Sequence, residues 1–192
     1  MERSLLRSEI APFIAAFSAL IAATILGDLA LHLFGLVWIG RWLGIPGVAL
    51  IALSFLYSLR KRRLIAAGDP RVFLRLHEFL TWGGALMILV HAGVHFNAVL
   101  PWLALLAMLA NVGSGLTGKF LLDRGRRHLV EKKAAIQRRG LSAGDLQREI
   151  FWDATTLDTM AKWRKVHFPV TIAFSALTVG HVLSILLLWN WR

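Results

Sequence analysis

Residues 76–95 read LHEFLTWGGALMILVHAGVH. The run is mostly apolar and carries His77, His91 and His95. As a helix of about 20 residues it is long enough to cross a hydrocarbon core of about 30 Å. Ionisable side chains inside a membrane are costly and mark function by default. A second run, residues 166–181, reads VHFPVTIAFSALTVGH and has histidines at 167 and 181. Both runs therefore separate two histidines by fourteen residues. Fourteen helical residues make four turns less about 40° and rise about 21 Å, so the two histidines of each run share a face.

The composition agrees with a membrane chain. Of the 192 residues, 57% are hydrophobic and the mean hydropathy is +0.61, above the apolar share of a soluble domain. The length suits one domain, expected over 1–192. There is no cysteine. Disulfides, thiolate metal sites, Cys-ligated iron–sulfur clusters and covalent CxxCH haem attachment are thereby excluded. The net charge is +11. Its basic residues sit in loops beside apolar runs, which points to membrane topology and not to nucleic acid. No cleavable signal peptide is expected, because the first apolar run is long enough to span.

Hydropathy predicts an all-α integral membrane helical bundle with five spans: 11–39, 45–59, 72–97, 100–122 and 166–191. The second span is short for the bilayer. Basic residues orient the set. Arg3 and Arg7 precede the first span; Arg60, Lys61, Arg62, Arg63, Arg71 and Arg75 surround the second-to-third connection. The long connection at about 123–163 is basic throughout. All three regions share one side if the N-terminus is cytoplasmic and the C-terminus outside. A multi-pass protein of the cytoplasmic (inner) membrane is expected. Trp38, Trp42, Trp102, Trp189 and Trp191 suit the outer interface, and Trp163 the inner one. The third and fifth spans then run parallel, with His77 and His167 near the inner end and His91 and His181 further out.

Two such helices, face to face, offer opposed imidazoles at two depths. A haem iron takes axial ligands from both sides of a flat macrocycle, and histidine is a common one. The spacing thus predicts two non-covalent b-type haems, His77 with His167 and His91 with His181, about 20 Å apart along the ligand rise. His95 is eighteen residues from His77, five whole turns, and competes with His91 for the outer position or faces the outer mouth. Gly83 and Gly84 lie midway between His77 and His91, and Gly93 and Gly180 flank the outer ligands. These small residues either make room for the cofactor or pack helices. Arg75, Arg164 and Lys165 crowd the inner ligands, where they either pair with haem propionates or express the positive-inside bias.

The paired spacing over about 72–191 resembles that of di-haem membrane cytochromes b. Placement on the third and fifth spans is similar to the ferric reductase and NADPH oxidase transmembrane domain. The resemblance implies His77, His91, His167 and His181 as axial ligands. Those oxidoreductases usually continue into a sixth span and a flavin- and nicotinamide-binding domain, whereas this sequence has no GxGxxG after a strand. Electrons are then expected from, or for, a cytoplasmic flavin or iron–sulfur subunit, a quinone or an extracytoplasmic carrier. In this the chain is similar to the cytochrome b anchor subunits of formate dehydrogenases and hydrogenases. On this reading it is an electron-transfer subunit, without bond chemistry of its own.

Other signals are secondary. Asp28 and His32 are four apart on one face of the first span, which suits a quinol or proton path or a mutually satisfied pair. NVGSGLTGK at 111–119 suits close packing, not a phosphate loop, and Lys119 suits lipid phosphate. The 123–163 connection is expected to be a basic helical loop that lies on lipid or docks a redox partner, with Ser142 to Asp145 as a helix start and His128 at the surface. The rival classes are a transporter or scaffold without haem and a stand-alone metalloreductase. Internal repeats, expected of the former, and outward acid clusters, expected of the latter, are not evident.

Overall fold

The computed structural model describes residues 11–93, 99–117, 129–131, 133–135, 138 and 143–188. Among the described residues every regular element is an α-helix and no strand occurs. The helices are α1 (Ala11–Leu33), α2 (Val37–Trp42), α3 (Gly44–Ser54), α4 (Leu56–Lys61), α5 (Pro70–Ala92), α6 (Val99–Leu116) and α7 (Ala143–Leu188). Five stretches are long and apolar enough to cross a membrane: Ala11–Leu33, Val37–Lys61, Pro70–Ala92, Val99–Leu116 and Lys165–Leu188. Leu33, Phe34, Phe79, Leu187 and Leu188 are each more than three-quarters or so exposed, as lipid-facing side chains are. The chain is a multi-pass membrane protein.

Span boundaries differ from expectation for identifiable reasons. The first helix stops at Leu33, not near residue 39, because Gly35 takes a left-handed turn with φ +66°. Residues 37–39, read as its outer end, instead begin the second span. That span covers 25 residues, Val37–Lys61, in three consecutive helices. It is therefore not short. The third span starts where Asp69 caps it: its carboxylate accepts from the Arg71 N–H at 2.8 Å, and Pro70 occupies the first helical position. Both features favour a helix start. It stops at Gly93, whose φ of +53° few other residues adopt. The expected start near Ser142 fits α7, but α7 then runs unbroken for 46 residues into the fifth span. The second half of the expected loop is thus one helix with that span. His95, Lys119, His128, Trp189 and Trp191 lie outside the described residues.

By packing, the chain divides into two units, residues 18–108 with 174–192, and residues 1–17 with 109–173. In the first unit α3 and α5 form the most extensive helix pair. Gly47 and Gly84 bring their backbones together. A Cβ at Gly84 would stand 2.8 Å from the Gly47 carbonyl and 2.7 Å from Ile51 Cγ1; one at Gly47 would stand 3.1 Å from the Gly84 carbonyl and 2.8 Å from Ile88 Cγ1. Small residues allow such approach in membranes, where lipid supplies no hydrophobic drive between helices. Gly84, a candidate for cofactor room, lies at this helix contact. Arg60 ties the following turn, donating from Nε to the Gly68 carbonyl at 3.0 Å and from Nη1 to that of Ile65 at 3.2 Å. In the second unit α6 and α7 supply Met108's neighbour Leu109 onward and the 143–173 part of α7. There Val112, Leu116, Ser114 and Thr117 are buried.

Candidate functional site

The four histidines sit on two continuous helices, His77 and His91 on α5, His167 and His181 on α7. All four are half-buried. In the first unit His77 places Nδ1 3.1 Å from the Ser54 carbonyl. Its ring lies 5.4 Å from that of Tyr57, tilted by 34°. Ser54 is buried, and its own hydroxyl donates to the Ile51 carbonyl at 2.6 Å. The end of the second span thus holds the ring from its side.

His91 repeats the device one level along. Its Nδ1 lies 3.2 Å from the Gly40 carbonyl. Gly44 then lets the ring come close to α3. A Cβ there would stand 2.9 Å from His91 Cδ2 and Nε2 and 3.0 Å from Cε1. Near-equal distances to these three atoms put that point over the ring face, clear of the in-plane lone pair of Nε2. His181 belongs to the same unit as His91. Among the described residues no hydrogen bond reaches the His181 ring.

His167 belongs to the second unit. Its Nδ1 lies 2.6 Å from Ser114 Oγ. Ser114 is buried and its hydroxyl donates to the Asn111 carbonyl at 2.8 Å. Gly115 keeps the neighbourhood small, since a Cβ there would stand 3.8 Å from His167 Cε1. Thr171 Oγ1 reaches the His167 carbonyl at 2.7 Å and Asn111 Oδ1 at 3.0 Å. Pro169, two residues after His167, removes the helix bond to the Lys165 carbonyl.

The two carbonyl contacts fix the tautomers of His77 and His91. A carbonyl only accepts, so Nδ1 of His77 and of His91 must carry the proton. The Ser114 hydroxyl touches both the Asn111 carbonyl and His167 Nδ1, and the ring tautomer sets whether it donates to the ring or accepts from it. For His77 and His91 the lone pair is then on Nε2. This is the arrangement of a metal-ligating imidazole, whose other nitrogen donates to the protein and thereby sets ring orientation and basicity. The donor set fits a haem iron, which asks the protein for two axial nitrogens. Among the described residues no three His, Asp or Glu side chains converge on a metal position, and a bis-imidazole haem needs only two. Thr81 Oγ1, one turn past His77, is buried without a hydrogen bond among the described residues.

The remaining candidates are placed as follows. Arg75 is exposed on α5. Arg164 lies on α7, its side chain outside the described ones, and Lys165 is exposed beside it. Gly83 meets Leu50 and Gly180 meets Leu100, at ordinary contact distances of 3.5 and 3.7 Å. Asp28 and His32 do meet: His32 Nδ1 bonds the Asp28 carbonyl at 2.8 Å and lies 3.6 Å from its carboxylate. Ser114, Gly44, Tyr57 and the Gly40 and Ser54 carbonyls were not evident from the sequence. Ser114 had one signal, a hydroxyl within an otherwise small and apolar span. No family model matches the chain, and no curated protein or solved structure is similar to it.

Proposed function

We propose that the chain carries electrons across the cytoplasmic membrane through two bis-histidine haems b, held by His77 with His167 and by His91 with His181. The observation that supports this reading is that His77 and His91, four turns apart on α5, each donate Nδ1–H to a backbone carbonyl of the second span. When bound, haem supplies reversible one-electron chemistry at iron. The chain's own part is to present the nitrogens, fix their planes, exclude water and set the two levels about 21 Å apart along each helix. Arg75, Arg164 and Lys165 are the cations for the propionates at the His77/His167 end. By the excess of basic residues that end faces the cytoplasm.

The protein works as the membrane subunit of a larger oxidoreductase. A cytoplasmic flavin or iron–sulfur protein exchanges electrons at the His77/His167 end, and quinone or an extracytoplasmic carrier at the other. The resemblance to di-haem cytochromes b leads to the same assignment. The test is a reduced-minus-oxidised spectrum of the purified protein together with haem quantitation. A b-type spectrum with about two haems per chain is expected. Replacing His181 by Ala should leave one. A colourless preparation, or two haems retained in His181→Ala, would refute the assignment.

A further inference from the structure

Two helix ends of this chain close with the same pair of backbone bonds. At the end of α1 the Leu36 N–H donates to the Leu31 carbonyl at 2.8 Å and the Gly35 N–H to that of His32 at 3.2 Å. At the end of α4 the Leu64 N–H donates to the Leu59 carbonyl at 3.0 Å and the Arg63 N–H to that of Arg60 at 3.1 Å. This closure needs one residue in the left-handed region, ordinarily glycine. Gly35 meets the need with φ +66°, but at α4 the residue is Arg63, with φ +62°. A Cβ makes that conformation unfavourable, and among the described residues Arg63 is the one non-glycine residue that adopts it. The turn around it is braced from both helices. Arg60 bridges the Ile65 and Gly68 carbonyls, and the Phe73 ring of α5 lies against Gly68, where a Cβ would stand 2.7 Å from Cε2. Backbone strain of this kind persists where the surroundings over-determine it, and it marks function.

We propose that Arg63, with Lys61 and Arg71, binds the phosphate of an anionic phospholipid head group, and that the chain gives up stability at residue 63 to keep a cation there. All three side chains are exposed, and no carboxylate among the described residues pairs with them. The connection joins two membrane-spanning stretches, Val37–Lys61 and Pro70–Ala92, so it lies at the membrane surface. Leu64, next to Arg63, is 71% exposed. Basic groups beside an exposed apolar side chain suit an anionic lipid: the cations meet the phosphate and the leucine meets the acyl boundary. The α5 N-terminus does not compete for that phosphate, because the Asp69 carboxylate already accepts there. A role in topology alone would be met by a cation at any neighbouring position, without the conformational cost of residue 63. The proposal stands apart from the haem reading.

The test titrates the full chain, in uncharged detergent, with fluorescent phosphatidylglycerol and with phosphatidylcholine, and reads the thermal midpoint on the same samples. The native chain should bind phosphatidylglycerol more tightly than phosphatidylcholine, and inorganic phosphate should not displace it. Arg63→Gly should weaken the phosphatidylglycerol Kd by about fivefold, as loss of one interfacial cation does. The same variant should raise the midpoint by about 2–4 °C, as the strain is relieved. Arg63→Asn, which tolerates the left-handed region without charge, should weaken binding alike. Arg63→Lys should keep the native affinity and gain no stability. Arg41→Gln, at the other end of the second span, should change neither. Unchanged phosphatidylglycerol affinity in Arg63→Gly and Arg63→Asn overturns the proposal, as does equal affinity for the two lipids. Displacement by inorganic phosphate would make the site one for a soluble anion. Loss of a co-purifying protein from Arg63→Gly, with lipid affinity intact, would assign the cation to a protein partner and overturn the lipid assignment. A midpoint that falls in both Arg63→Gly and Arg63→Asn would show that residue 63 carries no strain to relieve, and would overturn the link between stability and charge.

Discussion

Gly44 shows how a residue with no side chain controls one that has chemistry. The ring of His91 rests where a Cβ at 44 would be, at 2.9 Å. Real carbon contacts do not come so close, and the obstacle would be a ring already tethered to the Gly40 carbonyl. Gly44→Ala should therefore turn the His91 ring out of place. On the haem reading proposed above, the expected result is loss of one of two haems, with haem content near about half. Pyridine haemochrome quantitation reads it. The histidine spacing was legible in sequence because helical periodicity converts fourteen residues into a shared face. The tether was not, since a backbone carbonyl belongs to every residue type. Nothing in the letters at 40 or 54 distinguishes a carbonyl that accepts from an imidazole.

Among the elements, the α3–α5 pair depends on two glycines in mutual contact. Adding a methyl at Gly84 meets the Gly47 carbonyl at 2.8 Å, which is backbone and cannot rotate away. Overpacking of this kind costs about 1–3 kcal/mol. Gly47→Ala and Gly84→Ala should each lower the thermal midpoint in detergent, and their double variant should cost less than the sum because one separation of the helices relieves both. Five spans were legible from hydropathy, since lipid demands apolar length. Their limits were less so. The turn at Gly35 lies inside the continuous apolar run LHLFGLVWIG, where hydropathy does not change. The reverse happens in α7, where charge ends the apolar run at Lys165 but the helix continues back to Ala143. Hydropathy reports the solvent, whereas helix continuity follows backbone bonding.

For the whole molecule, the proposed orientation rests on charge. Arg60–Arg63 fall within four consecutive basic residues that end the second span, and the positive-inside rule retains such clusters in the cytoplasm. A reporter active only outside the cell should be silent when fused after residue 65 and active after residue 188. Replacing the four basic residues by Ser or Gln should raise the signal at residue 65. A native fusion already active there would invert the proposed orientation.

The 46-residue helix α7 has a mechanical meaning as well. About 33 Å of it, Ala143 to Arg164, precedes the membrane-spanning part at 1.5 Å per residue. The helix is continuous through that stretch, so a twist applied at Ala143 would arrive at His167 before it meets the proline at 169, as along a crank. Spin labels at 144 and 166 should report one narrow separation of about 33 Å, and a broad distribution would mean that the crank has a joint. A subunit that grips the shaft would thereby hold a handle on the angle of the very imidazole that Ser114 restrains.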